Sequence, residues 1–426
     1  MTPAKASIQK RLWQKIQVSA FSVLAAPLLF FLVANILARY AGIHTDEALF
    51  AGPLCRSWRF FAIKVGHFDV PMMNMPYVGT LKTWLYAPLL LHSRHPNAAL
   101  IRKPVILLGC LTILAFWSLL CRLHSRRAAW FGCILLATDA SFLLMTTFDW
   151  GPVVLQHLLL VSTLLLSVRW FQTNGGASLA GAAFCCGLAF WDKAEFVWMF
   201  SGLCAGLLII VPRLRPRLTV RRAATVPIFL LLGTLPVIIY NARGNPKLGT
   251  LHSNPNLGVD LRSPGLLPKL EVLRSTFSGS VLFGFLVNED SALQPKSPRT
   301  KSEHMSFTLH QLAGDRRRNG MPLALCVGLM FVPWLWGTRA RGPMCFSVIA
   351  GAVGWLAMCY TGGGVRHTMR YCYGPAAPLY QRRVRRGRGT VSLRAVGSYR
   401  PGSAGFGQQP FGHKSILVPV CSKWSE

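Results

Sequence analysis

Acidic residues are scarce in this chain: 14 Asp and Glu stand against 46 Lys and Arg among 426 residues. Charge of any sign is scarce as well, at 14% of the chain, where a soluble domain carries roughly 25%. That shortage argues against a cytosolic globular enzyme and against a disordered chain. The 12 cysteines include no CxxC spacing, so neither a secreted disulfide scaffold nor a thiolate metal centre is indicated. Cys110, Cys121, Cys133, Cys185, Cys186, Cys204, Cys326, Cys345 and Cys359 fall in or beside apolar stretches, where a thiol behaves as a small hydrophobe. Also missing are a glycine-rich nucleotide fingerprint in strand-to-helix context and any internal repeat.

What the chain has instead is apolar sequence in blocks. Apolar residues make up 52% of it and the mean hydropathy is +0.38. Runs near 17–38, 104–121, 128–147, 152–168, 178–191, 194–211, 223–241, 321–337 and 343–361 each read as a crossing of the bilayer. The expectation is an all-α, polytopic integral membrane protein with about nine transmembrane helices and loops on the outer face. The formal charge of +32 would suggest nucleic acid in a soluble protein. In a multi-pass chain it suggests basic loops beside anionic headgroups, and no nucleic-acid partner is expected.

The first run follows Lys5, Lys10, Arg11 and Lys15 without a recognisable small-residue cleavage site, which reads as a retained anchor with a cytoplasmic N-terminus. Alternating sides from there puts residues 1–16, 122–127, 169–177, 212–222 and 338–342 inside. Those stretches hold 15 Lys and Arg and no Asp or Glu, as the positive-inside rule requires. The outer side then carries two large polar segments, 39–103 and 242–320. Within the first, residues 77–92 are apolar but short and interrupted by Lys82, so an interfacial or re-entrant helix is expected there.

Four places on the outer side could carry chemistry. HTDEALFAG at 44–52 brings Asp46 and Glu47 just past the first run; a solvated pair is the plain reading, and a general base at a water-excluding cleft the sharper one. Asp149 in FDWGP closes the third run, as a cap for the next helix or as a residue facing Asp46 across a shared cleft. Asp192, Lys193 and Glu195 in WDKAEF sit between two apolar blocks, where they pair with one another or aim a lysine at a phosphate. GGGVRHT at 362–368 is either a hinge or an anion cradle completed by Arg366 and His367.

Taken in order and on one side, these motifs resemble the membrane glycosyltransferases of the GT-C class, in particular the protein mannosyltransferase and aminoarabinose transferase branch (family 39-like). HTDEALFAG is similar to that family's acidic pair in the first outer loop. MPYVGTLKTWLYAPL at 75–89 with Lys82 is a looser counterpart of its aromatic and proline-containing stretch. ATDASFLLMTTFDWGP at 137–152 places Asp149 where the family has an aspartate after a broken helix. Lys193 and the Arg366–His367 pair match its later basic positions. The resemblance, over residues 15–370, implies transfer of a sugar from a polyprenyl-phosphate donor to a glycan, lipid or protein acceptor. It implies Asp46 as base and Glu47 as its substitute or an acceptor contact. Asp149 is implied at the acceptor, with Lys82, Lys193, Arg366 and His367 at the donor phosphate. No cofactor is required on this reading, although Asp46, Glu47 and Asp149 have the oxygen chemistry of a divalent-metal site.

A lipid-linked-sugar flippase or another transporter is the rival reading, but transporters gather substrate groups near the midplane, whereas these candidates gather at one surface. Short inner loops and the lack of an organelle signal point to a bacterial inner membrane. Residues 1–369 form the expected catalytic region. Residues 370–426, with ten Lys and Arg and one acidic residue, break the charge rule. They read as a basic extension, as hiding a tenth crossing, or as the product of a shifted reading frame near Met369, with the third preferred. In that third case the chain lacks part of the donor groove and is inactive.

Overall fold

The structure is a computed structural model. It describes residues 23–38, 60–92, 98–149, 153–214, 219–243, 266–279, 321–330 and 341–361, with scattered positions between them that include Glu47, Phe50, Arg217 and Thr250. Asp46, Arg366, His367 and the tail 370–426 lie outside the described residues.

The elements run in chain order as helix α1 (Val23–Leu37), strands β1 (Phe61–Val65), β2 (Phe68–Met75) and β3 (Val78–Gly79), then helices α2 (Leu81–His92), α3 (Ala98–Leu123), α4 (Arg126–Thr138), α5 (Ala140–Thr147), α6 (Val154–Thr173), α7 (Gly176–Asp192), α8 (Val197–Leu214), α9 (Val220–Arg243), α10 (Leu266–Ser278), α11 (Met321–Met330) and α12 (Arg341–Cys359). A 3₁₀ turn, Ala194–Phe196, separates α7 from α8.

Among the described residues five helices are long and apolar enough to cross a membrane, and a sixth crossing appears if α4 and α5 are one bent span. The protein is thus an integral membrane protein, but nine crossings is more than these residues supply. Helices α1 and α7 are apolar and shorter, and α11 has 10 described residues. The expected third span is broken: α4 and α5 bend by 62°. Asp139 causes the break, because its extended backbone stops α4 and its side chain accepts from Phe142 N at 2.8 Å, capping α5.

Helices α3, α6, α7 and α9 pack in sequence, and α8 packs on α12. The tightest crossing is α7 on α9, where Gly187 faces Gly233 and a Cβ on either would collide with backbone of the other helix. Small residues let helices approach closely where lipid gives no hydrophobic drive for them to do so. Two cores result. Phe30, Ile113, Trp117, Phe142 and Phe148 fill one between α1, α3, α4 and α5; Phe50, Val78, Tyr86, Val105, Leu155 and Phe196 fill the other beneath the first loop.

That loop contains an antiparallel sheet of order β1-β2-β3, which the sequence reading does not anticipate. A bulge between Phe61 and Ala62 and Pro71 inside β2 disturb the two-residue alternation by which a strand announces itself. The interfacial or re-entrant stretch expected at 77–92 contains a helix, α2.

Candidate active site

Thr80 starts the site by fixing α2. Its hydroxyl donates to Pro71 O at 2.6 Å, and Trp84 Nε1 donates to the same carbonyl at 3.0 Å, so the helix leaves the sheet at a set angle. Residues four apart share a helix face, and Lys82 and Tyr86 therefore point the same way, at Asp149. Lys82 Nζ lies 2.6 Å from Oδ1 and 2.5 Å from Oδ2 of that carboxylate, and both side chains are fully buried. Tyr86 donates its hydroxyl to Oδ2 at 3.3 Å. Burial first, then the charge of Asp149, pushes the Tyr86 hydroxyl well above its ordinary range, which keeps it a donor. Phe50 covers the ammonium, its ring centroid 3.6 Å from Nζ.

Asp149 itself has φ of 49°, a left-handed conformation that Asp tolerates better than most residues but at a cost. The strain is held in place by the two partners on α2.

A second buried ion pair adjoins the first. Arg102, near the start of α3, reaches Glu47 through Nε at 2.5 Å and Nη2 at 2.8 Å, a bidentate grip, while its Nη1 donates to Ala38 O at 2.6 Å. The Arg102 guanidinium carbon lies 4.8 Å from the Phe148 ring centroid. Consecutive residues, Phe148 and Asp149, thus rest on the cations of both pairs.

The turn after α7 closes the site. Trp191 Nε1 donates to Met72 O at 2.9 Å, Lys193 forms an antiparallel bridge with Val78, and Ala194 N donates to Tyr77 O at 3.0 Å. Lys193 pairs with Glu195 at 2.5 Å in a partly open position, the internal pairing that the sequence allowed. Asp192 is fully buried, and among the described residues neither of its carboxylate oxygens has a hydrogen-bond partner.

The structure therefore brings together Glu47, Lys82, Asp149 and Lys193 from the sequence candidates, while Asp46, Arg366 and His367 lie outside the described residues. Arg102 and Tyr86 were missed. The signal for Arg102 was a guanidinium just inside the start of a long apolar run, where charge is expensive and usually has a purpose; for Tyr86 it was the four-residue spacing from Lys82. Glu47 and Asp149 each hold a buried cation, and Asp46, the third residue of the metal alternative, lies outside the described residues.

Residues 79–240 match the family model described as dolichyl-phosphate-mannose-protein mannosyltransferase. Over that stretch, less than half of the chain, it is similar to the membrane glycosyltransferases of the GT-C class. The matched stretch contains Lys82, Tyr86, Arg102, Asp149, Asp192, Lys193 and Glu195, and lies wholly within the region of the resemblance. No curated protein and no solved structure matches the chain.

Proposed function

We propose that the protein transfers a sugar from a polyprenyl-phosphate donor to a hydroxyl or amine of a glycan, lipid or protein acceptor on the outer face of a bacterial inner membrane, its N-terminus lying in the cytoplasm. The observation that carries this reading is the Lys82–Asp149 pair: a buried ammonium fixed by a carboxylate, a tyrosine hydroxyl and an aromatic face. Departure of the lipid phosphate turns a phosphodiester into a monoester and gathers negative charge. A cation already positioned and desolvated stabilises that charge without reorganising. Lys82 takes this role, with Asp149 orienting it and touching the acceptor, and Lys193, Arg366 and His367 complete the phosphate contacts.

Glu47 is committed to Arg102 by two hydrogen bonds. Asp46, its neighbour in sequence, is then the base that removes the acceptor proton, and the Glu47–Arg102 pair anchors the loop that carries it. No metal step is needed, and activity is expected to persist in EDTA.

The test is release of polyprenyl phosphate from a panel of radiolabelled polyprenyl-phosphate sugars by membranes containing the protein. Turnover of one donor, lost in Asp46→Asn and in Lys82→Met with the proteins still inserted, is the expected result. Undiminished turnover in Asp46→Asn would remove the base assignment, and no turnover of any donor by the wild type would remove the reading.

A further inference from the structure

The end of the bundle remote from the ion pairs has its own unmatched chemistry. Helix α6 ends there with Trp170 and Phe171, α7 begins after the turn at Asn174, and α8 and α9 are joined through Arg217. Trp170, Leu179 and Leu214 form a small apolar core with Phe171, Ile210 and Val226 packed on it. The Arg217 guanidinium carbon lies 4.2 Å from the Phe171 ring centroid. Arg222 ties the two connections together, donating Nη1 to Arg217 O at 2.9 Å and Nη2 to Asn174 O at 3.2 Å. Arg122 and Gln172 exchange hydrogen bonds at 3.1 Å on the neighbouring edge.

Two N–H groups in this small region are buried and lack an acceptor among the described residues: Arg217 Nη1 and Trp170 Nε1. Both are donor-only groups, and burying such a group unpaired is costly. The local chain has no carboxylate for them, because residues 122–127, 169–177 and 212–222 contain no Asp or Glu. An anionic oxygen satisfies both donors and also balances the charge of Arg217. Beside the donors, α8 turns Leu208, Ile209 and Val211 outward, an apolar flank that suits an acyl chain and gives nothing to a free anion.

We infer that Arg217, Trp170 and Arg222 form a binding site for the phosphate headgroup of an anionic phospholipid, in the leaflet opposite the ion-pair cluster. Arg217 supplies charge and a donor, Trp170 a second donor at interfacial depth, Arg222 a further charge, and the outward residues of α8 carry the lipid tail. The site makes no use of the sugar-transfer reading and stands or falls apart from it.

The experiment uses the full-length protein in nanodiscs of phosphatidylcholine alone, of phosphatidylcholine with phosphatidylglycerol, and of phosphatidylcholine with added inorganic phosphate. Retained lipid is measured by mass spectrometry after detergent exchange, and the unfolding midpoint is measured alongside. The expected result is selective retention of phosphatidylglycerol and a higher midpoint in its presence, with affinity about fivefold weaker in Arg217→Gln and in Trp170→Phe. Trp170→Phe keeps the ring and removes only the donor, so it remains informative if Arg217→Gln folds poorly. Equal retention by wild type and Trp170→Phe would overturn the site. So would an equal effect of phosphatidylcholine or of inorganic phosphate, since neither is an anionic phospholipid.

Discussion

Asp149 is the residue on which most of the site geometry converges: left-handed backbone, salt bridge to Lys82, and tyrosine hydrogen bond all meet there. Removing one member of a buried ion pair strands the other and costs about 3–5 kcal/mol. Asp149→Asn is therefore expected to lower the unfolding midpoint sharply and to abolish transfer, whereas an exposed acidic residue such as Asp69 changed to Asn leaves both intact; thermal denaturation and donor turnover measured on the pair check this. Tyr86 gives a second prediction. Its hydroxyl, ordinarily titrating at 10.0, is raised in the folded protein by burial and by nearby carboxylates. The stability that this contributes is complete below the ordinary value and is lost as pH climbs toward the folded value. Alkaline denaturation should begin near that point in the wild type and be weaker in Tyr86→Phe. Asp149, Lys82, Glu47 and Lys193 could be picked out in the sequence because ionisable residues are rare in so apolar a chain. Arg102 could not be assigned a partner, since the Glu47 it grips is 55 positions away in sequence and spacing says nothing about such a pair.

The broken third span shows what an element can hide. Residues 128–147 read as one apolar run because their hydropathy is continuous, and a lone Asp139 within it looks like an anomaly. In the structure that aspartate is a cap, and the bend that it sets aims Phe148 and Asp149 at the two cations. Asp139→Ala should cost about 1 kcal/mol through the lost cap. It should also lower donor turnover beyond what that loss of stability explains, because the end of α5 would shift; comparing kcat with the unfolding midpoint separates the two effects. The sheet of the first loop was invisible for a related reason. Short strands interrupted by a bulge and a proline carry no periodic signal, and pairing with β2 is what makes β3, two residues long, a strand at all. Contacts between α7 and α9 were unreadable for another: glycines at 187 and 233 look like weak points in a helix until the two helices are seen to cross there. Gly187→Val is expected to force the helices apart and to reduce the folded yield in membranes, a loss that quantitative immunoblotting would register.

For the molecule as a whole, the apolar blocks gave the right class and most of the helices, since bilayer burial leaves a direct imprint on composition. Charge supplied the orientation proposal, which a pair of fusions would test. A reporter joined in the Asn174–Gly175 turn should fluoresce as a cytoplasmic protein does, and alkaline phosphatase joined after Arg243 should be active outside; the reverse pattern would invert the topology. The two ends of the bundle then differ in kind, one holding paired buried charges and the other buried donors without a partner among the described residues. The bridge between Val78 and Lys193 adds a constraint on how such a protein can change over time. Because the sheet is stitched to the turn after α7 by backbone bonds, residues 60–92 are not a cassette that recombination can exchange alone. A chimera that imports this loop from another protein would have to import residues 191–196 with it, so the sheet and the turn after α7 are inherited as one unit.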